Sequence, residues 1–156
     1  MFKITNLTRF TNFDEIEQLL QWLANRLEIT TGEVVLVSDS KLLKRFSTND
    51  VELHALLTQI APNDIYKLIL EDKPSNLNII LCHEMVHLSQ YIRRDLKLDL
   101  NKKEFTWKGV KYNASVPYDE RPWEIEAFSK QDKLYKEYKK AINTNKKCIF
   151  NFLKKK

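Results

Sequence analysis

The sequence predicts an α+β fold, with three or four helices packed on a small, mainly antiparallel sheet. Three observations carry that expectation. Apolar residues recur at helical spacing near the start, at Ile16, Leu19, Leu20, Leu23 and Leu27. Short β-branched or alternating runs, Glu33 to Ser38 and Tyr66 to Leu70, read as strands. Two longer helical stretches follow, one leading through His83 and His87 toward Arg94 and one from Pro122 to about Ile142. At 156 residues, 43% hydrophobic and 30% charged, the chain is long enough for one domain over 1–156 with its own core, and 145–156 reads as a basic C-terminal tail.

Taken in order, Asn12 or Asp14 can cap the first helix, and Gly32 breaks the chain before the Glu33–Ser38 strand. Asn49-Asp50 suggests the cap of a second, short helix carrying Leu53, Leu56, Leu57 and Ile60 and stopped by Pro62. Tyr66, Leu68 and Leu70 alternate with Lys67, Ile69 and Glu71, a strand partly facing solvent. Ser75 is the expected cap of the third helix. Phe105 to Tyr112 forms two alternating arms around Lys108-Gly109, which predicts a hairpin. Pro122 suits a first helical turn.

Composition narrows the function. Two glycines and no P-loop or dinucleotide fingerprint argue against phosphate-cradling loops. No apolar run spans a bilayer and the start lacks the layout of a secretory signal, so a cytoplasmic or virion-associated protein without membrane contact is expected. The net charge of +5 reflects lysines concentrated from Lys130 onward. A solvated helix face is their expected role, with nucleic-acid contact the lesser alternative. Cys82, in the run Ile79-Ile80-Leu81, reads as a small buried hydrophobe; Cys148 stands alone among Lys and Phe.

The chemistry is carried by His83-Glu84-Met85-Val86-His87, an H-E-x-x-H motif inside a segment that independently reads as helix. Residues four apart on a helix lie about 40° apart around its axis, so both imidazoles can meet one ion. Glu84, about 100° round from His83, is poorly placed as a ligand but can reach a water on the metal and act as general base. Asn76, Ile80, His83, His87 and Gln90 share one side suited to a cleft; Leu77, Leu81, Met85, Leu88 and Ile92 form the core stripe opposite. These features predict zinc held by His83 and His87. A catalytic zinc needs a third protein ligand. Gln90 and Arg93 stand where the metzincin pattern requires Gly and His, and His54 sits in the predicted apolar second helix as a core or surface residue. Glu124 is the expected ligand, because it shares a helical face with Ala127, Phe128, Gln131, Tyr135 and Tyr138 that must pack inward, where a carboxylate needs a compensating cation. Glu126, about 200° away beside Lys130 and Lys133, is expected as a solvated ion-pair former, and Glu120 in the turn before Pro122.

With these residues in place, the chain resembles the gluzincin metallopeptidases, in which H-E-x-x-H on one helix is completed by a glutamate from a later one. Here Glu124 follows His87 by 37 residues. The segment Leu81 to Tyr91, the Trp107-Lys108-Gly109 turn and Pro122 to Ala127 look like small metallopeptidase-like proteins of tailed bacteriophages, over roughly residues 64–135. The resemblance implies zinc ligands His83, His87 and Glu124, a base at Glu84, protein or peptide substrates, and a cleft edge formed by the strand around Lys67 to Leu70. One departure stands out: where thermolysin-like members have an aspartate supporting a histidine, this chain has Phe128, leaving that support to a backbone carbonyl or Asn76. Tyr112 and Tyr118 are candidates for stabilising a developing oxyanion. Two alternatives remain beside the peptidase: a virion or scaffold protein acting by binding, and a DNA-associated peptidase.

Overall fold

The computed structural model describes residues 1–47, 52–61, 63–99 and 101–153, with side chains through 144. Two sheets and four helices make up the α+β fold. The elements are β1 (Lys3–Asn6), α1 (Phe13–Arg26), β2 (Glu33–Ser38), α2 (Ser40–Phe46), β3 (Ala55–Ala61), β4 (Ile65–Leu70), α3 (Leu77–Ile92), β5 (Leu96–Asp99), β6 (Glu104–Trp107), β7 (Val110–Asn113) and α4 (Pro122–Leu153). A 3-10 turn over Tyr118–Glu120 leads into α4. The larger sheet has strand order β1-β2-β4-β3, with β1, β2 and β4 parallel and β3 antiparallel to β4. The smaller sheet, β5-β6-β7, is antiparallel throughout.

The stripe on α1 behaves as its spacing demands. Leu19, Leu20 and Leu23 are almost wholly buried, each worth about 1.5–3 kcal/mol relative to exposure. They join Val34 and Leu36 of β2, Tyr66, Leu68 and Leu70 of β4, and Leu81, Met85 and Leu88 of α3 in one core. Gly32 enters β2 with φ +99°, and a Cβ there would meet the Asp64 carbonyl oxygen at 2.9 Å. That contact and the positive φ together require glycine. The predicted hairpin also forms: Lys108 and Gly109 both have positive φ, 47° and 85°, the two-residue turn whose twist suits antiparallel strands.

The predicted second helix is not formed. Leu53, Leu56, Leu57 and Ile60 satisfy a helical period, but Ala55–Ala61 is a strand, with Leu57 opposite Leu68 and Gln59 opposite Tyr66. A short apolar run fits both periods locally, and here pairing with the free side of β4 decides. The proposed caps Asn49-Asp50 and the stop Pro62 lie outside the described residues. A helix absent from the prediction stands just upstream instead: α2, capped by the Asp39 carboxylate accepting from the Leu42 amide at 2.9 Å. β4 lies between β2 and β3, so it cannot form a cleft edge; β3 is the exposed edge on that side. The last helix also runs past Ile142 to Leu153, making most of the predicted tail helical. No glycine or proline occurs after Pro122 to stop it.

Candidate metal centre

Helix α3 is enclosed by α1, α4 and β3. It starts at Asn76 rather than Ser75, and the Asn76 side chain makes no capping bond. Every residue from Leu81 to Gln90 is buried. The histidine side is therefore covered, contrary to the expectation that it lines an open cleft: His83 and His87 are each 7% exposed and Glu84 is 8% exposed. The cover is the first turns of α4, and the smaller sheet fixes where they begin. Trp123 is buried with Leu96 and Trp107, its ring 4.7 Å from Phe105 and 5.7 Å from Tyr112 by centroids. Arg121 donates to the carbonyls of Val116 and Ala114 at 3.0 and 3.2 Å, holding the entering loop. With Trp123 pinned, the next residue, Glu124, points at the two imidazoles.

The three predicted ligands meet. Nε2 of His83 and Nε2 of His87 are 3.0 Å apart, and Oε2 of Glu124 lies 3.2 and 3.1 Å from them. The outer ring nitrogens are held as well. His83 Nδ1 is 2.9 Å from Oε1 of Gln131, and His87 Nδ1 is 2.8 Å from Oε1 of Gln90. Gln90 cannot be turned round, because its Nε2 donates to the Trp123 carbonyl at 3.1 Å and to Glu126 Oε2 at 2.8 Å. Its Oε1 then accepts from Nδ1 of His87, which leaves a lone pair on the inner Nε2. The Gln131 contact does the same for His83.

Three acceptor atoms thus converge with their lone pairs inward, an arrangement that is stable only around a positive charge. Ligands bound at about 2.0–2.2 Å in tetrahedral geometry sit roughly 3.3 Å apart, close to the observed 3.0–3.2 Å edges. His83, His87 and Glu124 are a buried group able to hold a metal ion. Without an ion a proton serves in its place. Burial lowers the His87 pKa, but the hydrogen bond and charge of Glu124, then the charge of Glu84, outweigh it and raise it to about 9. Burial likewise opposes ionisation of Glu124, yet its hydrogen bonds with His83 and His87, then the charge of His87 and the nearby Tyr118, hold it well below the usual carboxylate range.

Glu84 is in the opposite situation. Burial raises its pKa, the charges of His87 and His83 offset part of this, and Glu124 adds to it. Its carboxylate has no protein hydrogen-bond partner among the described residues, and none of its oxygens is sealed from solvent. Phe128 packs edge-on against His83, centroids 4.7 Å apart, and is half exposed; Tyr118 lies beside it at 6.1 Å.

The remaining candidates separate cleanly. Tyr118 lies near enough to Glu124 to favour its charge, whereas Tyr112 packs on Trp123. His54 is exposed and pairs with Glu71 at 3.2 Å, just ahead of a strand rather than within a helix. Glu120 lies exposed in the 3-10 turn. Glu126 is more than a solvated partner of Lys130: besides that ion pair at 2.9 Å it accepts from Gln90. Asn76 supports neither histidine, and the backbone carbonyl alternative is replaced by two glutamine amides. Gln90 could have been found from spacing, since it lies three residues after His87 on one helix face; Gln131 supports a histidine of the other helix, which no local spacing shows. Cys82 is buried as expected, and burial pushes its thiol up to about 12.

No protein-family model, curated protein or solved structure matches this chain.

Proposed function

We propose that the protein is a zinc-dependent peptidase that hydrolyses amide bonds of protein or peptide substrates, with His83, His87 and Glu124 as ligands and Glu84 as general base. Two imidazoles and one carboxylate suit zinc and leave a coordination position free. The observation that carries the reading is Glu84: a carboxylate beside the ligand triangle, without a protein partner, its proton affinity raised by burial. A structural metal site has no use for such a group. On this reading the chain belongs with the gluzincin-type peptidases, as its resemblance to phage-encoded members suggests.

Bound zinc would supply electrophilic polarisation of a water and of the scissile carbonyl. Glu84 takes the proton from the attacking water and returns it to the leaving amine; its raised pKa brings it nearer to neutral pH, where such transfers are efficient. Tyr118, close to Glu124 and kept neutral because burial raises its pKa, has a phenolic O–H for the developing negative charge. β3, the antiparallel edge strand packed near α3, offers backbone groups to an extended peptide.

The test compares cleavage of a peptide library by zinc-loaded wild type and Glu84→Gln. Cleavage should fall by about 10²–10⁴-fold in the variant, while zinc content stays near that of wild type. Equal cleavage rates would remove Glu84 as base.

A further inference from the structure

Each histidine of the centre is backed by a neutral amide rather than a carboxylate, and one of these amides is itself held by a carboxylate farther out. We propose that Gln90 is a positioning residue: it locks His87 with its outer nitrogen protonated and its inner nitrogen free for metal, and Glu126 holds Gln90 in that orientation. The proposal rests on the metal-binding reading above and adds to it a chain of three side chains on two helices.

The geometry runs outward in one direction. His87 Nδ1 donates to Gln90 Oε1 at 2.8 Å, and Gln90 Nε2 donates to Glu126 Oε2 at 2.8 Å and to the Trp123 carbonyl at 3.1 Å. Glu126 ends the chain in cations, with Lys130 at 2.9 Å and Arg93 at 3.9 Å. Gln90 is wholly buried, so an amide turned the wrong way would set its NH₂ against the donor Nδ1 and its oxygen against Glu126. Three contacts, that to the Trp123 carbonyl included, would fail together in a site sealed from solvent, which makes the observed orientation the only satisfied one.

The choice of an amide follows from the charges already present. Glu84 and Glu124 bring two carboxylates into the buried centre, against the two positive charges of a zinc ion. A carboxylate in direct contact with His87 would add a third negative charge there without a buried cation beside it. Placing that charge one amide farther out, at the partly exposed Glu126, lets Lys130 and Arg93 balance it. Gln131 gives His83 the same kind of neutral acceptor at 2.9 Å, with no carboxylate behind it among the hydrogen bonds of the described residues.

The experiment measures zinc affinity by competition with a chromogenic chelator, and ligand geometry by the visible spectrum of the cobalt-substituted protein. The chains compared are wild type, Gln90→Leu and the polarity swap Gln90→Glu/Glu126→Gln. In the swap the new carboxylate still accepts from His87, and the new amide at position 126 donates back to it. Gln90→Leu should bind zinc about 10–100-fold more weakly and change the cobalt spectrum. The swap restores the acceptor but adds the third negative charge, so it should recover the cobalt spectrum and only part of the lost zinc affinity. Loss without recovery in the swap would reduce Gln90 to a packing residue, and unchanged affinity in Gln90→Leu would overturn the proposal outright. Should Gln90→Leu fail to fold, the swap alone decides: a cobalt spectrum like that of wild type requires the acceptor at position 90, and an altered spectrum refutes it. A wild type that binds no zinc would instead defeat the metal reading itself, a distinct result.

Discussion

Glu84 and Glu124 carry the same carboxyl group in one small volume, yet their surroundings push their proton affinities apart. Glu124 has two imidazole partners and stays ionised; Glu84 has no hydrogen-bond partner among the described residues and is driven toward the protonated form by burial. Two titratable groups set apart in this manner divide into an ion-holding and a proton-carrying role, which is the physical content of the peptidase reading. A residue outside the centre gives a cleaner pH prediction. Tyr66 is fully buried in the core, and burial, followed by the charge of Asp64, raises its phenol to about 12. Its unfolded pKa is about 10. The folded state therefore holds this proton more tightly, so its stabilising contribution is complete below pH 10 and disappears as pH rises toward 12. Denaturant unfolding across that range should show wild type losing stability more steeply than Tyr66→Phe; parallel losses would contradict the assignment.

Helix α4 is placed by its long packing against α3 and, at its first turn, by the smaller sheet that precedes it. Its first turn is nailed by Trp123 against Phe105, Tyr112 and Trp107 of the smaller sheet, so the hairpin, far from the ligands in sequence, determines where Glu124 points. Trp123→Ala should cost about 3–5 kcal/mol in urea unfolding and should weaken zinc binding although no ligand is removed. Zinc affinity equal to wild type in a folded Trp123→Ala protein would show that α4 is placed by its contacts with α3 alone. The elements also show where local reading fails. The hairpin was legible because Lys108-Gly109 dictates a turn. β3 was misread because Leu53, Leu56, Leu57 and Ile60 match a helix as well as a strand, and only the unpaired side of β4 distinguishes them.

Across the molecule the centre ties together α3 and α4, two helices that pack on each other and are separated in sequence by the whole of the smaller sheet. An ion held by ligands from both stabilises the folded state alone, by an amount that grows with its concentration over its dissociation constant. Zinc at roughly a thousand times that constant would contribute about 4 kcal/mol, or on the order of 10 °C in melting temperature for a chain of this size. Thermal melts with zinc and with a chelator measure it directly; Glu124→Ala should abolish the difference, and a wild type insensitive to both would show that the triangle takes no metal. The same Glu124→Ala protein should lack the roughly one zinc per chain expected after purification without added ions.

By itself the sequence determined which side chains could share an ion. The spacing of His83 and His87 on one helix, and the helical phase of Glu124 on another, are local consequences of backbone periodicity. Whether those helices meet, and what stands behind the ligands, depended on contacts between segments remote in the chain. Hence the burial of the histidine side, the edge role of β3, the approach of Tyr118 and the support of His83 by Gln131 emerged only with the tertiary structure. Hydrogen bonds of that kind are made between elements, and no periodicity within one element encodes them.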